Sequence, residues 1–247
     1  AIMKIDTAVY SSEGGHDINE DSYLCSAEKG IFAVADGLGG HDCGEAASAA
    51  AIEYFSENCG GGYTEERINE LISGANLRIY NDGFGKSTVA AAFIENGIFR
   101  YINVGDSRVY YFSGGHIAAI SKDHSVCQAA VDMGTMNFSE IRGSDDRSKL
   151  LKVLGESEKI DAKRNYPPIK ICDGDTFLIC SDGFWEYVFE TEMEVDLLKS
   201  ERAGSWLRYM LKRHILRAEN RGDNYTAVCG IIHLEEQELS QKKFRKK

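Results

Sequence analysis

Apolar and polar positions fall into short blocks whose periods change along the chain. Residues 5–12 and 21–27 read as strands, with a polar turn over 13–20 between them. Ile31-Phe32-Ala33-Val34-Ala35 is an unbroken apolar run inside the strand predicted over 30–36. Such a run suits a strand buried on both faces. The period then becomes helical. Glu45 to Asn58 is an Ala-rich helix that can lie close on a sheet. Thr64 is the N-cap of a second helix, with Glu65 and Glu66 in its first turn and a stripe of Ile68, Leu71, Ile72, Ala75 and Ile79.

Four short strands follow: Thr88 to Ile94, Ile98 to Val104, Val109 to Phe112 and Ile117 to Ile120. Their joints, Asn96-Gly97, Gly105-Asp106 and Gly114-Gly115, read as hairpin turns. Val126 to Met133 and Lys149 to Leu154 read as helical, around a polar region from Ser139 to Ser148 that is expected to be the most mobile. Strands are expected at 160–162 and 175–181 and helices at 191–200 and 203–219. A last strand runs from Tyr225 to Leu234. Antiparallel strands with helices before and after them give an α+β fold rather than a doubly wound parallel sheet.

Several of these strands begin or end at carboxylates. Asp36-Gly37 closes the apolar run, Glu20-Asp21 opens the second strand, Asp182-Gly183 follows Thr176 to Ser181, and Asp223-Asn224 precedes the last strand. Each alone is an ordinary acidic turn. Brought together they would repel one another unless a cation compensates. A set of carboxylates without Cys or His partners suits hard ions such as Mg or Mn better than Zn.

Composition narrows the class. The chain has 247 residues, 43% hydrophobic and 27% charged, with two adjacent Pro and no low-complexity linker, which fits one large domain. A net charge of −11 disfavours a nucleic-acid binder. Seven scattered Cys without a C-x-x-C spacing read as reduced, mostly buried thiols. No apolar run is long enough to span a membrane, and no secretion signal is visible. A cytoplasmic monomer is expected. The end, residues 237–247, is basic and expected to be a disordered, solvated tail.

NEDS (19–22), VADGLGG (34–40), NVGDSR (103–108), SDGFWE (181–186) and GDNYTAV (222–228), in this order, resemble the metal-dependent serine/threonine protein phosphatases of type 2C in their bacterial form. The resemblance covers about Thr7 to Ile232 and implies a four-layer α-β-β-α sandwich of two antiparallel sheets flanked by helices. It implies one catalytic domain over 1–236 with a flap over about 123–159.

The resemblance further implies a site holding two Mn2+ or Mg2+ ions. Asp36 corresponds to a bridging ligand, the Gly37 carbonyl to a ligand of one ion, and Asp182 and Asp223 to ligands of the other. Glu20 and Asp21 correspond to acids that hold metal-bound water. Asp123, in KDH, corresponds to the acid of a third, weaker ion, though it also reads as a helix N-cap. Asp36, Asp182, Asp223 and Asp21 are the catalytic set. The implied reaction is in-line hydrolysis of phosphoserine and phosphothreonine by a hydroxide between the ions. The implied substrates are phosphorylated proteins, targets of a serine/threonine kinase.

Asp106, in GDSR, reads instead as a turn cap paired with Arg108. His16 stands where bacterial members carry an Arg that grips the substrate phosphate, and one imidazole does not reproduce that fork. Leu38 stands where some members carry a His. A phosphatase fold that binds phosphoproteins without efficient turnover is therefore the competing reading. A hydrolase of small phosphate esters would differ only in substrate.

Overall fold

The computed structural model describes residues 2–39, 43–83, 85–161, 166–219 and 222–235. The 237–247 tail and Arg221, which neighbours the GDN turn, lie outside the described residues. Strands β1 (Ile2–Ser12), β2 (Asp21–Ser26) and β3 (Ile31–Leu38) are followed by helices α1 (Cys43–Asn58) and α2 (Glu65–Asp82). Next come β4 (Lys86–Ser87), β5 (Val89–Glu95), β6 (Ile98–Val104), β7 (Arg108–Ser113) and β8 (His116–Ile120). Helix α3 (Val126–Asp132) and a 3-10 turn (Phe138–Gly143) lead into β9 (Ile169–Lys170) and β10 (Thr176–Cys180). The chain closes with α4 (Asp182–Trp185), α5 (Glu190–Leu197), α6 (Ala203–Ala218) and β11 (Tyr225–Glu235).

Two antiparallel sheets result. One has the order β1-β11-β10-β7-β8, the other β2-β3-β5-β6-β9 with β4 beside β3. The double burial of β3 is visible in its side chains. Ile31, Ala33 and Ala35 pack outward with α1 and α2 (Ala47, Ala51, Leu71, Ile72), while Phe32 and Val34 pack inward with Val109, Phe177, Ile179 and Val228 of the facing sheet. A third apolar layer joins the outer face of the other sheet to α4, α5 and α6 through Phe184, Trp185, Met193, Trp206 and Met210. This is the expected layering of two sheets between helices.

Thr64 caps α2, its hydroxyl accepting from the Arg67 N–H. The small residues of α1 let its start press against the end of β3. A Cβ at Gly37 would lie 2.0 Å from the Gly44 carbonyl oxygen, so both positions need glycine for the approach.

Three expectations are corrected. The Gly105-Asp106 joint is not a hairpin, because β6 belongs to one sheet and β7 to the other. Gly105, at φ +93°, turns the chain across the layers where a side chain would collide with Thr88. Residues 149–154 are not helical. Leu151 N–H donates to the His124 carbonyl and Leu154 N–H to the Ser87 carbonyl, so tertiary partners satisfy the backbone in an extended path. Of the strand expected at 160–162, residues 160 and 161 are irregular, and 162 lies outside the described residues.

Candidate metal centre

The acidic turns converge at one end of the sandwich. A cleft of about 340 Å³ is lined by His16, Glu20, Asp36, Gly37, Asp106, Asp182, Asp223 and Asn224, with Leu38, Gly39, Ser148 and Leu150 at its edges. Strand register assembles it. Asp21 and Asp36 are directly paired across β2 and β3. Like charges opposite one another destabilise a sheet, so the pairing is not explained by stability. Asp182 is the first residue of α4, and Asp223 immediately precedes Asn224 and β11.

Hydroxyls and one amide hold these pieces. Ser181 donates to Asp21 Oδ2 at 2.7 Å and accepts from the Thr226 N–H at 2.9 Å, joining the ends of β2, β10 and β11. Asn224 donates to the carbonyls of Glu13 and Ile18 and accepts from the Glu20 N–H at 2.9 Å. It thereby pins the loop that carries His16 and Glu20. Thr88 Oγ1 accepts from the Asp36 N–H at 3.1 Å and shares a hydrogen bond with Ser107.

The carboxylates strain against one another. Burial, reinforced by Asp182 and Asp223, pushes Asp21 up to about 7, against hydrogen bonds from Ser181 and Thr226. Burial and the charge of Asp223 push Asp182 up to about 6, against a hydrogen bond shared with Asp36. Asp36 lies well above the carboxylate range, through burial first and then Asp21, Asp182, Asp106 and Asp223. Asp106 is raised by burial, Asp182 and Asp123, with Arg108 opposing. Glu20 is raised by burial and Asp223, against the Gly44 N–H and His16.

Two carboxylate oxygens, Asp21 Oδ1 and Asp182 Oδ1, are buried without a hydrogen-bond partner among the described residues. Orphaned acceptors in an all-oxygen set fit a hard divalent cation, which would relieve both the desolvation and the repulsion. Among the described residues no three His, Cys, Asp or Glu side chains close into a ready-made cage. The acids stand around a cleft instead, in keeping with ions that retain several waters.

Asp36, Gly37, Asp182, Asp223, Glu20 and His16 all line the cleft, and Asp21 sits directly behind it. His16 Nε2 lies 3.3 Å from Asp223 Oδ1, both side chains more than half exposed. Asp123 is corrected. It is buried and held bidentately by Arg108, at 2.9 and 2.7 Å, rather than lining the cleft. Asp106 takes the place expected for Asp123 at the cleft wall, and Arg108 pairs with Asp123 instead. Asp106 follows a glycine as Asp223 does in GDN, a signal that could have pointed to it but equally fits a turn cap.

No family model matches the chain. It is 30% identical over 229 residues to the serine/threonine phosphatase stp of Listeria monocytogenes, covering 86% of this chain and 86% of that one. The fold matches the PPM Ser-Thr phosphatase MsPP of Mycobacterium smegmatis, solved in complex with cacodylate, at a TM-score of 0.76 and 27% identity over 93% of this chain and 98% of that one. It also matches the catalytic domain of the phosphatase PstP in complex with two manganese ions, at a TM-score of 0.80 and 24% identity over 94% of this chain and 100% of that one. The chain belongs to the type 2C family of metal-dependent serine/threonine protein phosphatases and is a phosphoric monoester hydrolase of that class. Among the described residues no helix is long and apolar enough to cross a membrane.

Proposed function

We propose that this chain hydrolyses phosphoserine and phosphothreonine in proteins phosphorylated by a serine/threonine kinase, using two Mn2+ or Mg2+ ions. The convergence of Asp36, Gly37, Asp182 and Asp223 on one cleft, with buried oxygens left unpartnered, carries the reading. Asp36, Asp182, Asp223 and the Gly37 carbonyl would hold the ions, with Asp106 completing the wall. Bound there, the ions supply an activated water and positive charge against the phosphoryl oxygens.

The chain's own residues do the rest. Glu20 and Asp21 orient water at the rear of the cleft, Asp21 being fixed by Ser181. Asn224 holds the loop that presents His16 to the substrate phosphate. Among the described residues no cysteine lines the cleft. In this reading a water oxygen bonds directly to phosphorus as the ester P–O bond breaks; the attacking water gives up its proton to solvent, and the departing alkoxide takes one from solvent water. In this reading residues 1–236 form one catalytic domain whose flap, about 123–159, borders the cleft through Ser148 and Leu150.

Hydrolysis of an aryl phosphate and of a phosphothreonine peptide should vanish with a chelator and return with Mn or Mg. Zn should substitute poorly, since it favours fewer and softer ligands. Activity undiminished after thorough chelation and dialysis would overturn the reading. Phosphopeptide binding without turnover at saturating Mn would favour a phosphatase fold that binds phosphoproteins without hydrolysing them.

His16→Arg should lower KM, by the excess of a charged over a neutral hydrogen bond, on the order of 1–2 kcal/mol. A guanidinium supplies a fork of donors that a single imidazole does not reproduce. An unchanged KM from pH 6 to 8 would mean that His16 does not face the phosphate.

A further inference from the structure

Behind the cleft, α6 directs one imidazole at the elements that carry Asp182 and Asp223. His214 is 1% exposed. Its ring stacks on Tyr225 with centroids 3.8 Å apart, meets Tyr187 edge-on at 5.1 Å and lies parallel to Phe184 at 6.0 Å. Aromatic packing alone would be served as well by Phe. The nitrogens are what Phe lacks.

His214 Nε2 lies 2.8 Å from the carbonyl oxygen of Gly183. A carbonyl oxygen only accepts, so Nε2 carries the proton and Nδ1 is the bare acceptor. Nδ1 is buried and has no hydrogen-bond partner among the described residues. Beside the ring is a cavity of about 50 Å³, with Ser12, Gly14, His214, Gly222 and Tyr225 in its walls. A buried water needs only about 10–15 Å³ of such space, together with polar partners.

The surroundings make small movements here consequential. Gly183 directly follows Asp182, and a Cβ on it would lie 2.1 Å from the Asn224 carbonyl oxygen. A Cβ on Gly14 would lie 2.2 Å from the Asp223 carbonyl oxygen. The ring thus bonds to the peptide after one proposed ligand, while its cavity is walled by backbone packed against another.

We propose that His214 is a positioning residue of the metal centre: its Nε2–H fixes the Asp182-Gly183 peptide, and its Nδ1 accepts from a water held in the adjoining cavity. The water ties the ring to the loops that carry His16 and Asp223. The proposal rests on the reading of Asp182 and Asp223 as ligands. Side chains that orient ligands from behind typically change metal affinity by about 10–100-fold when lost.

The test compares His214→Phe with His214→Gln. Phe keeps the ring and removes both nitrogens, whereas Gln retains a donor at the reach of Nε2. Mn2+ affinity is measured by calorimetry on metal-free protein, and kcat and KM at saturating Mn2+. His214→Phe should weaken Mn2+ binding about tenfold or more while kcat at saturating Mn2+ falls far less. His214→Gln should bind Mn2+ clearly more tightly than His214→Phe. Wild-type affinity in His214→Phe, or equal losses in the two variants, overturns the proposal.

Nitrogen NMR of the metal-free wild-type protein supplies a second readout that does not depend on how either variant folds. It should show His214 as the Nε2–H tautomer, with Nδ1 shifted as a hydrogen-bonded acceptor. The opposite tautomer, or an Nδ1 without a hydrogen bond, overturns the proposal. Wild-type protein that binds no Mn2+ overturns the metal reading itself. That failure is told apart from the others because the NMR signature needs no metal.

Discussion

Asp182→Asn should lower kcat by at least about 100-fold at saturating Mn2+ while leaving the fold intact. The size follows from what is removed. Loss of a group that merely supports a ligand costs about 10–100-fold, and Asp182 is proposed as a ligand itself. The shape barely changes, and Asn can donate where the Asp182 carboxyl shares a hydrogen bond with Asp36. Without metal, the variant removes one of several repelling acids, so it should melt no lower than the parent in a chelator. Steady-state rates across a Mn2+ titration and thermal midpoints in chelator check both halves. A variant that keeps half of the wild-type rate would show that Asp182 is not a ligand.

The metal-free protein should become less stable as pH rises from about 5 to 8, the reverse of ordinary acid unfolding. Asp21 at about 7 and Asp182 at about 6 both lie above the usual carboxylate value. A raised folded-state pKa means that the native state binds more protons than the unfolded chain between roughly pH 4 and 7. Stability therefore falls as pH climbs through that window and stays low above it. Glu192 works oppositely, because Arg217 holds it down at about 2. Its contribution is lost only below about pH 4, so the two windows barely overlap.

The carboxylate effect is on the order of 2 kcal/mol. That corresponds to about 4–8 °C in the thermal midpoint of a domain this size. Saturating Mn2+ should flatten or invert the slope, because the ion needs the deprotonated acids. Midpoints measured from pH 5 to 8, in chelator and in Mn2+, test this. A flat profile in chelator would mean that the acids do not sit as close as described.

Much of the site was legible because its signals are local. A buried apolar run stopping at Asp36-Gly37, and acidic turns at Asp182 and Asp223, can be read without knowing where the strands go. His16 stood out because an Arg was expected in its place, and it does line the cleft, beside Asp223. The exchange of Asp106 and Asp123 was not legible. Asp106 lies two residues from Arg108 and Asp123 fifteen, so local chemistry favours the pair with Asp106, whereas the fold gives Arg108 to Asp123. His214 gave no signal at all, since a His on an apolar helix face is indistinguishable from packing.

The sequence by itself determined most of the strands and helices, the carboxylates at their ends and the small residues with which α1 lies close on its sheet. Alternation, helical period and backbone freedom are properties of neighbouring residues. Only the tertiary structure decided that β6 and β7 lie in different sheets, which carries Asp106 into the cleft and leaves Arg108 to Asp123. Only it set the Asp21–Asp36 register and brought His214 beneath Gly183. Each of these depends on which surfaces meet across the layers. That choice is made by burial and charge acting through space between residues far apart in the chain, so no local pattern records it.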